Sequence, residues 1–140
     1  METYKQMSKR HQKIVDGLPI YFAFSNEQLD KKLAEIGCSL KDVMPFGYGG
    51  FHKREDKELI KTTFKKLAKE MKDALKNYDF LVSAFRYELA NHEYCVTFEP
   101  DDTFAALGLS VKDVYTSEFK LSAFKEARQA YLHSIWPDEY

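Results

Sequence analysis

Cysteine is nearly absent. Cys38 and Cys95 are the only two among 140 residues, too few for a disulfide framework and without a Cys or His partner at zinc-site spacing. Both thiols are expected to be structural, in a reducing compartment. Long apolar runs are also missing. No stretch approaches the roughly 18 apolar residues of a membrane span, and the charged segment Met1–Lys13 lacks the apolar run of a secretory leader. A cytoplasmic protein with no membrane partner is expected. The third absence is a dominant charge. Lys and Arg number 21 against 22 Asp and Glu, a formal net charge of -1, which argues against a dedicated nucleic-acid binder and against an acidic DNA mimic. Any electrostatic partner has to be met locally.

What is present suits one domain over 1–140: 44% hydrophobic and 15% aromatic residues are enough to fill a core. The expected fold is mainly α, a compact domain of about five to six helices, becoming α+β if short strands form near 20–24 and 94–98. Thr3 and Gln6 stand at capping-box spacing, and Tyr4, Met7, His11, Ile14, Val15 and Leu18 recur at helical period. Gly17 is expected to turn left-handed at the end of that helix, before Pro19 and the apolar run Ile20–Phe24, a buried strand or extended entry. Ser25 with Gln28, and a Phe24/Leu29 staple, start a second helix near Asn26 that stops at Gly37, before a turn capped by Ser39 and Asp42.

The longest amphipathic stretch is Glu55 to Tyr78. At about 100° per residue, Lys57, Lys61, Lys65, Lys69, Lys72 and Lys76 fall within an arc of roughly 120°, while Leu59, Ile60, Phe64, Leu67, Met71 and Ala74 occupy much of the opposite side. One reading is a solvated face supported by pairs such as Glu58 with Lys61 or Lys65. The other is a contact face of point charges that meets phosphates or acidic side chains without reading sequence. Just before this stretch, Gly47-Tyr48-Gly49-Gly50 is the densest glycine cluster. No Gly-Lys-Ser/Thr follows it, and Glu55 and Asp56 would repel phosphate, so a tight aromatic-flanked turn is expected there.

A short echo appears 71 positions on: Leu33–Val43 aligns with Phe104–Val114, with six of eleven residues identical. It fits either a short internal duplication or two cases of one helix-stop device. Asp79–Glu93 reads as a helix with apolar groups on most sides, on which Glu88 and His92 lie four apart over Phe80, Leu81, Ala84 and Phe85. That pair reads either as a hydrogen-bonded core pair or as two metal ligands or an acid/base pair. His11, His52 and His133 carry no motif that would supply a third ligand. Cys95–Glu99 reads as a loop or short strand, and Pro100-Asp101-Asp102 opens a short helix ending at Gly108. A final helix runs from Glu118 to about Ile135, capped by Ser117, with Phe119, Phe124, Ala127, Tyr131 and Ile135 as its apolar stripe. The tail Asp138–Tyr140 is expected either to fray or to dock its exposed acids and aromatic on a partner, fraying being the first expectation.

Three segments, Leu18–Ser25, Gly47–Phe51 and Tyr87–Tyr94, resemble a family of small phage and mobile-element accessory proteins that includes candidate anti-CRISPR inhibitors of type II effectors. The resemblance covers roughly residues 10 to 109. It implies a protein without catalytic residues or cofactor that inhibits an RNA-guided CRISPR nuclease by stoichiometric binding, its partner being the effector or its guide-RNA complex. With local positive charge, such a protein would grip an acidic patch or touch guide RNA or DNA, using the glycine-aromatic loop as anchor. The expected contact residues are Tyr48, Phe51, Lys57, Lys61, Lys65 and Lys69. The alternatives are a nucleic-acid-binding accessory protein and a small metal-dependent hydrolase centred on Glu88 and His92.

Overall fold

A computed structural model describes residues 1–140. The chain is mainly α, with eight α-helices and a small three-stranded antiparallel sheet. It divides into two compact units, one made of Gln12–Ala68 and the other of Met1–His11 together with Lys69–Tyr140. No helix is long and apolar enough to cross a membrane.

The first helix, α1 (Tyr4–Asp16), opens with the expected reciprocal cap: Gln6 N–H donates to Thr3 Oγ1 at 3.2 Å and Thr3 N–H to Gln6 Oε1 at 2.9 Å. At its end Gly17 keeps ordinary negative φ, so the expected left-handed exit is not used. The Gly17 N–H instead reaches both the Lys13 and Ile14 carbonyls, a tightened last turn.

The Gln12–Ala68 unit holds the sheet, in the order β1-β3-β2. The strand expected near 20–24 forms as β1 (Tyr21–Phe22), followed by α2 (Asn26–Ile36), β2 (Val43–Gly47) and β3 (Gly50–Lys53). Ser25 caps α2 by accepting from Gln28 N–H at 3.1 Å, while the Gln28 side chain reaches back to Phe24 N–H at 2.8 Å. The core is small: Leu33, Val43 and Phe51 are buried, with Tyr21, Ala23, Leu29 and Ile36 packed around them. Period-two alternation explains why only Tyr21 and Ala23 of the Ile20–Phe24 run turn inward. Phe22 and Phe24 point outward, at 55% and 75% exposure, so that run is a half-buried edge rather than a buried strand. For the same reason Phe24 does not close over α2 as a staple but stacks on Phe22.

The other unit is built on α4 (Tyr78–Asn91) and α8 (Glu118–Ile135), with α5 (Tyr94–Thr97), α6 (Asp101–Ala106) and α7 (Val111–Tyr115) between them in sequence. Its core centres on Phe85, Phe104 and Phe124, whose rings meet edge to face with centroids 4.8 to 5.7 Å apart, a geometry that favours aromatic pairs beyond their area burial. Asn77 and Ser117 cap α4 and α8 by accepting from Phe80 and Lys120 N–H. The segment 94–98 forms helix α5, not a strand. Glu93 and Phe98 on either side adopt left-handed φ of 51° and 60°, which encloses a single helical turn between two reversals. With α7, this short helix makes the count eight rather than five or six. The tail, expected to fray, is folded back here: Glu139 and Tyr140 N–H both donate to the Trp136 carbonyl, and the Tyr140 ring meets Trp136 at 6.2 Å.

The echoed segments form the same hydrogen bonds at both places. Gly37 and Gly108 take φ of 69° and 73°, and Cys38 and Leu109 N–H each reach back 2.9 Å to the Leu33 and Phe104 carbonyls, a Schellman stop. Ser39 and Ser110 N–H then donate to Asp42 and Asp113 Oδ2 at 3.0 and 2.9 Å. These serines hold both carboxyls below their ordinary range. Afterwards the paths diverge, Val43 starting β2 while Val111–Tyr115 is helix.

Candidate interaction surface

Helix α3 spans Lys57–Ala74, and a 3-10 turn at Arg54–Asp56 precedes it, so the expected limits of Glu55 and Tyr78 are each too wide. Asn77 starts a new helix as its cap, which leaves Lys76 on the connecting turn and off the α3 stripe. Lys57, Lys61, Lys65, Lys69 and Lys72 are all exposed, and Ile60 and Leu67 are buried behind them. Leu59 departs from the expected apolar side: it lies about 60° beyond Ala74, at the flank of the apolar arc, and is exposed.

The lysines differ in their partners. Lys69 Nζ donates to Asp73 Oδ2 at 2.7 Å and Lys76 approaches the other oxygen of the same carboxylate. Lys69 and Asp73 shift each other's pKa apart accordingly, the lysine upward and the aspartate downward. Lys69 is thus paired on its own helix while staying exposed, which sets it apart from the other three lysines of the expected contact set. Lys57, Lys61 and Lys65 form no ion pair, and the expected Glu58 pairs with Lys61 or Lys65 are not made.

The glycine cluster is the turn of the β2–β3 hairpin. Gly47 pairs with Gly50, and the two turn residues Tyr48 and Gly49 have φ of 50° and 81°, the positive pair that a type I′ turn requires. Gly49 and Gly50 also make room. A Cβ on Gly49 would lie 2.7 Å from the Phe24 ring, and one on Gly50 3.2 Å from the Phe22 ring. The two rings rest on this bare backbone, stacked on each other with centroids 6.4 Å apart and 15° between planes. Glycine here supports an exposed aromatic pair, which reading the Ile20–Phe24 run as a buried strand or an extended entry did not separate out. The signal available was the period-two position of Phe22 and Phe24 relative to Tyr21 and Ala23.

Tyr48 is 99% exposed at the hairpin tip, whereas Phe51 is 5% exposed. Phe51 is therefore not a contact residue. It faces inward on the central strand, against Tyr21 with ring centroids 5.8 Å apart, and serves as the middle of the small core. Phe46, the bulged residue between Pro45 and Gly47, stacks on Phe64 of α3 at 5.8 Å and ties the hairpin to that helix. Lys57 and Lys61 lie within about 60° of Phe64 around the helix axis, so these two unpaired lysines share the side of α3 on which the hairpin rests. Beside the hairpin an open groove of about 770 Å³ is lined by Phe24, Leu29, Leu40, Met44 and Pro45 among others.

Glu88 and His92 meet as their spacing requires, with His92 Nε2 3.1 Å from Glu88 Oε2. Both carboxylate oxygens are already engaged. Tyr4 Oη donates to Oε1 at 2.7 Å and Asn91 Nδ2 to Oε2 at 3.2 Å. Burial, and then the Glu88 carboxylate, raise the pKa of Tyr4, so its hydroxyl stays a donor. Glu88 is 5% exposed, which fits a polar pin joining α1 to α4. No group of three or more His, Cys, Asp or Glu side chains gathers there or elsewhere to hold a metal.

No match emerges among curated proteins or solved structures. One family does match, over residues 3–130, a span that takes in the first thirteen residues of α8, which the resemblance at 10–109 left out. The chain belongs to the family of unknown function DUF7659.

Proposed function

We propose that this protein works by binding, through a face of the Gln12–Ala68 unit made of Tyr48, the Phe22–Phe24 pair and Lys57, Lys61 and Lys65. The observation that carries the reading is Tyr48. A bulky residue in left-handed conformation costs roughly 1–2 kcal/mol, and a fully exposed ring recovers none of that by burial. The positive φ serves the hairpin turn, but Gly, Asn or Asp would make that turn at less strain, so a bulky exposed ring kept there points to a contact made outside the chain. Aromatic rings bordered by unpaired cations are the composition of an interface core with an electrostatic rim.

The partner proposed from the sequence resemblance is an RNA-guided type II nuclease with its guide, met in the cytoplasm and inhibited by occupancy. The test is target-DNA cleavage by a panel of such effectors in the presence of increasing amounts of this protein. Stoichiometric inhibition predicts activity falling in proportion to added protein and reaching its floor near one equivalent. No loss of cleavage across the panel at micromolar protein rejects this partner.

A second reading has its own observation. The stacked, exposed Phe22 and Phe24 rings, in a unit that also carries unpaired lysines, also suit bases and phosphates of a single strand. That reading requires affinity for bare single-stranded RNA or DNA that falls steeply with salt. No binding at low salt removes it.

A further inference from the structure

The unit of Met1–His11 and Lys69–Tyr140 carries an exposed aromatic face that the proposed function does not use. Phe98 and Trp136 lie parallel, 5° between planes with centroids 6.4 Å apart, and Tyr140 packs on the other side of the sequence turn against Trp136 at 6.2 Å. All three rings remain exposed, and Val96 on the same α5 turn is exposed as well.

The segments that carry these rings hold acids and no lysine or arginine. No Lys or Arg occurs between Arg86 and Lys112, nor from 129 to 140, and the only basic side chains in these stretches are His92 and His133. Glu99 follows Phe98 directly, Asp101 and Asp102 begin the next helix, and Asp138 and Glu139 lie between Trp136 and Tyr140. All five carboxylates are exposed, and none is in an ion pair.

We infer that this face docks a lysine- or arginine-rich segment of a partner protein. Ring faces attract ammonium and guanidinium groups, arginine most often. Carboxylates on the segments flanking the rings supply the complementary field and exclude acidic partners. A neutral apolar partner would leave those charges without use, and a nucleic acid would be repelled by them. The inference does not depend on the contact face of the other unit.

Trp136 is the only tryptophan in the chain, so its fluorescence reports directly on the face. The experiment titrates an arginine-rich nonapeptide, and a glutamate-rich one of equal length, into the full chain. The expected result is a saturable change with the basic peptide only, weakening as salt rises. Glu99→Lys with Asp138→Lys should lower the affinity by about tenfold or more, because neither side chain makes a hydrogen bond or ion pair that the fold needs. Glu27→Lys, on α2 away in sequence from this face, should bind as the native chain does. The inference is overturned by an unchanged signal at millimolar basic peptide, by equal response to the acidic peptide, or by equal loss in Glu27→Lys. A fluorescence change that follows protein concentration without peptide, with a matching rise in sedimenting mass, overturns it in favour of a second copy as the occupant.

Discussion

Tyr48 and Phe51 stand three residues apart in one hairpin and have opposite roles, which substitution separates. Phe51→Ala removes the centre of the Leu33/Val43/Phe51 core and should destabilise by about 3–5 kcal/mol, read as a lowered denaturation midpoint. Tyr48→Gly replaces a strained residue by one that accepts positive φ and should raise stability by about 1 kcal/mol while weakening partner binding. Stability lost in Tyr48→Gly would mean that the ring supports the fold. At Glu88 the pin can be tested from its other end. Tyr4→Phe leaves a buried carboxylate short of one donor, at a cost of about 1–3 kcal/mol, and elemental analysis should find no stoichiometric metal in the native chain. The opposite roles of Tyr48 and Phe51 were not legible in sequence. Both are aromatic residues beside glycine, and their facing depends on the bulge at Phe46 and on which strand is central.

Helix starts and stops are where sequence spoke most clearly, because capping needs particular side chains at fixed offsets. Thr3/Gln6, Ser25, Gly37, Ser39/Asp42 and Ser117 all perform as their spacing predicts. The echo at 33–43 and 104–114 shows how far such local rules reach. The same stop and the same serine-aspartate bond form twice, and then one chain path enters a strand and the other a helix. Gly37→Ala and Gly108→Ala test the equivalence. A Cβ would meet nothing within 4 Å at either place, so each should cost only the left-handed strain, about 1 kcal/mol, and by similar amounts. Legibility failed at 94–98 and at Gly17. At 94–98 the sequence reads as a loop or short strand, but paired left-handed residues enclose a helical turn. At Gly17 the chain turned without using the freedom glycine provides.

Charge acts on the molecule as a whole through carboxylates whose pKa values the fold lowers. Arg10 lowers Glu2, and His11 and then Arg10 lower Glu70. Lys69 lowers Asp73, and the serine caps lower Asp42 and Asp113. A carboxyl depressed in the folded state adds stability that is present above its unfolded pKa and is lost as pH falls through the folded one. The thermal midpoint should therefore be flat near neutrality and decline below about pH 4. Glu70→Gln should flatten part of that decline, and a midpoint that rises on acidification would contradict the assignment. Sequence showed the lysine arc but not its pairing. Asp73 lies outside the arc, and only side-chain geometry shows that it takes Lys69 while Lys57, Lys61 and Lys65 stay free.

The most direct measurement of the binding account is calorimetric titration of the native chain and of two variants, Tyr48→Ala and Lys57→Glu/Lys61→Glu/Lys65→Glu, into effector–guide complexes of a type II panel. The account predicts saturable one-to-one binding to at least one complex and a loss of about tenfold or more in each variant, with Lys69→Glu nearly unchanged. Binding that is indifferent to Tyr48 and to the three unpaired lysines, or no binding to any complex at micromolar concentration, contradicts it.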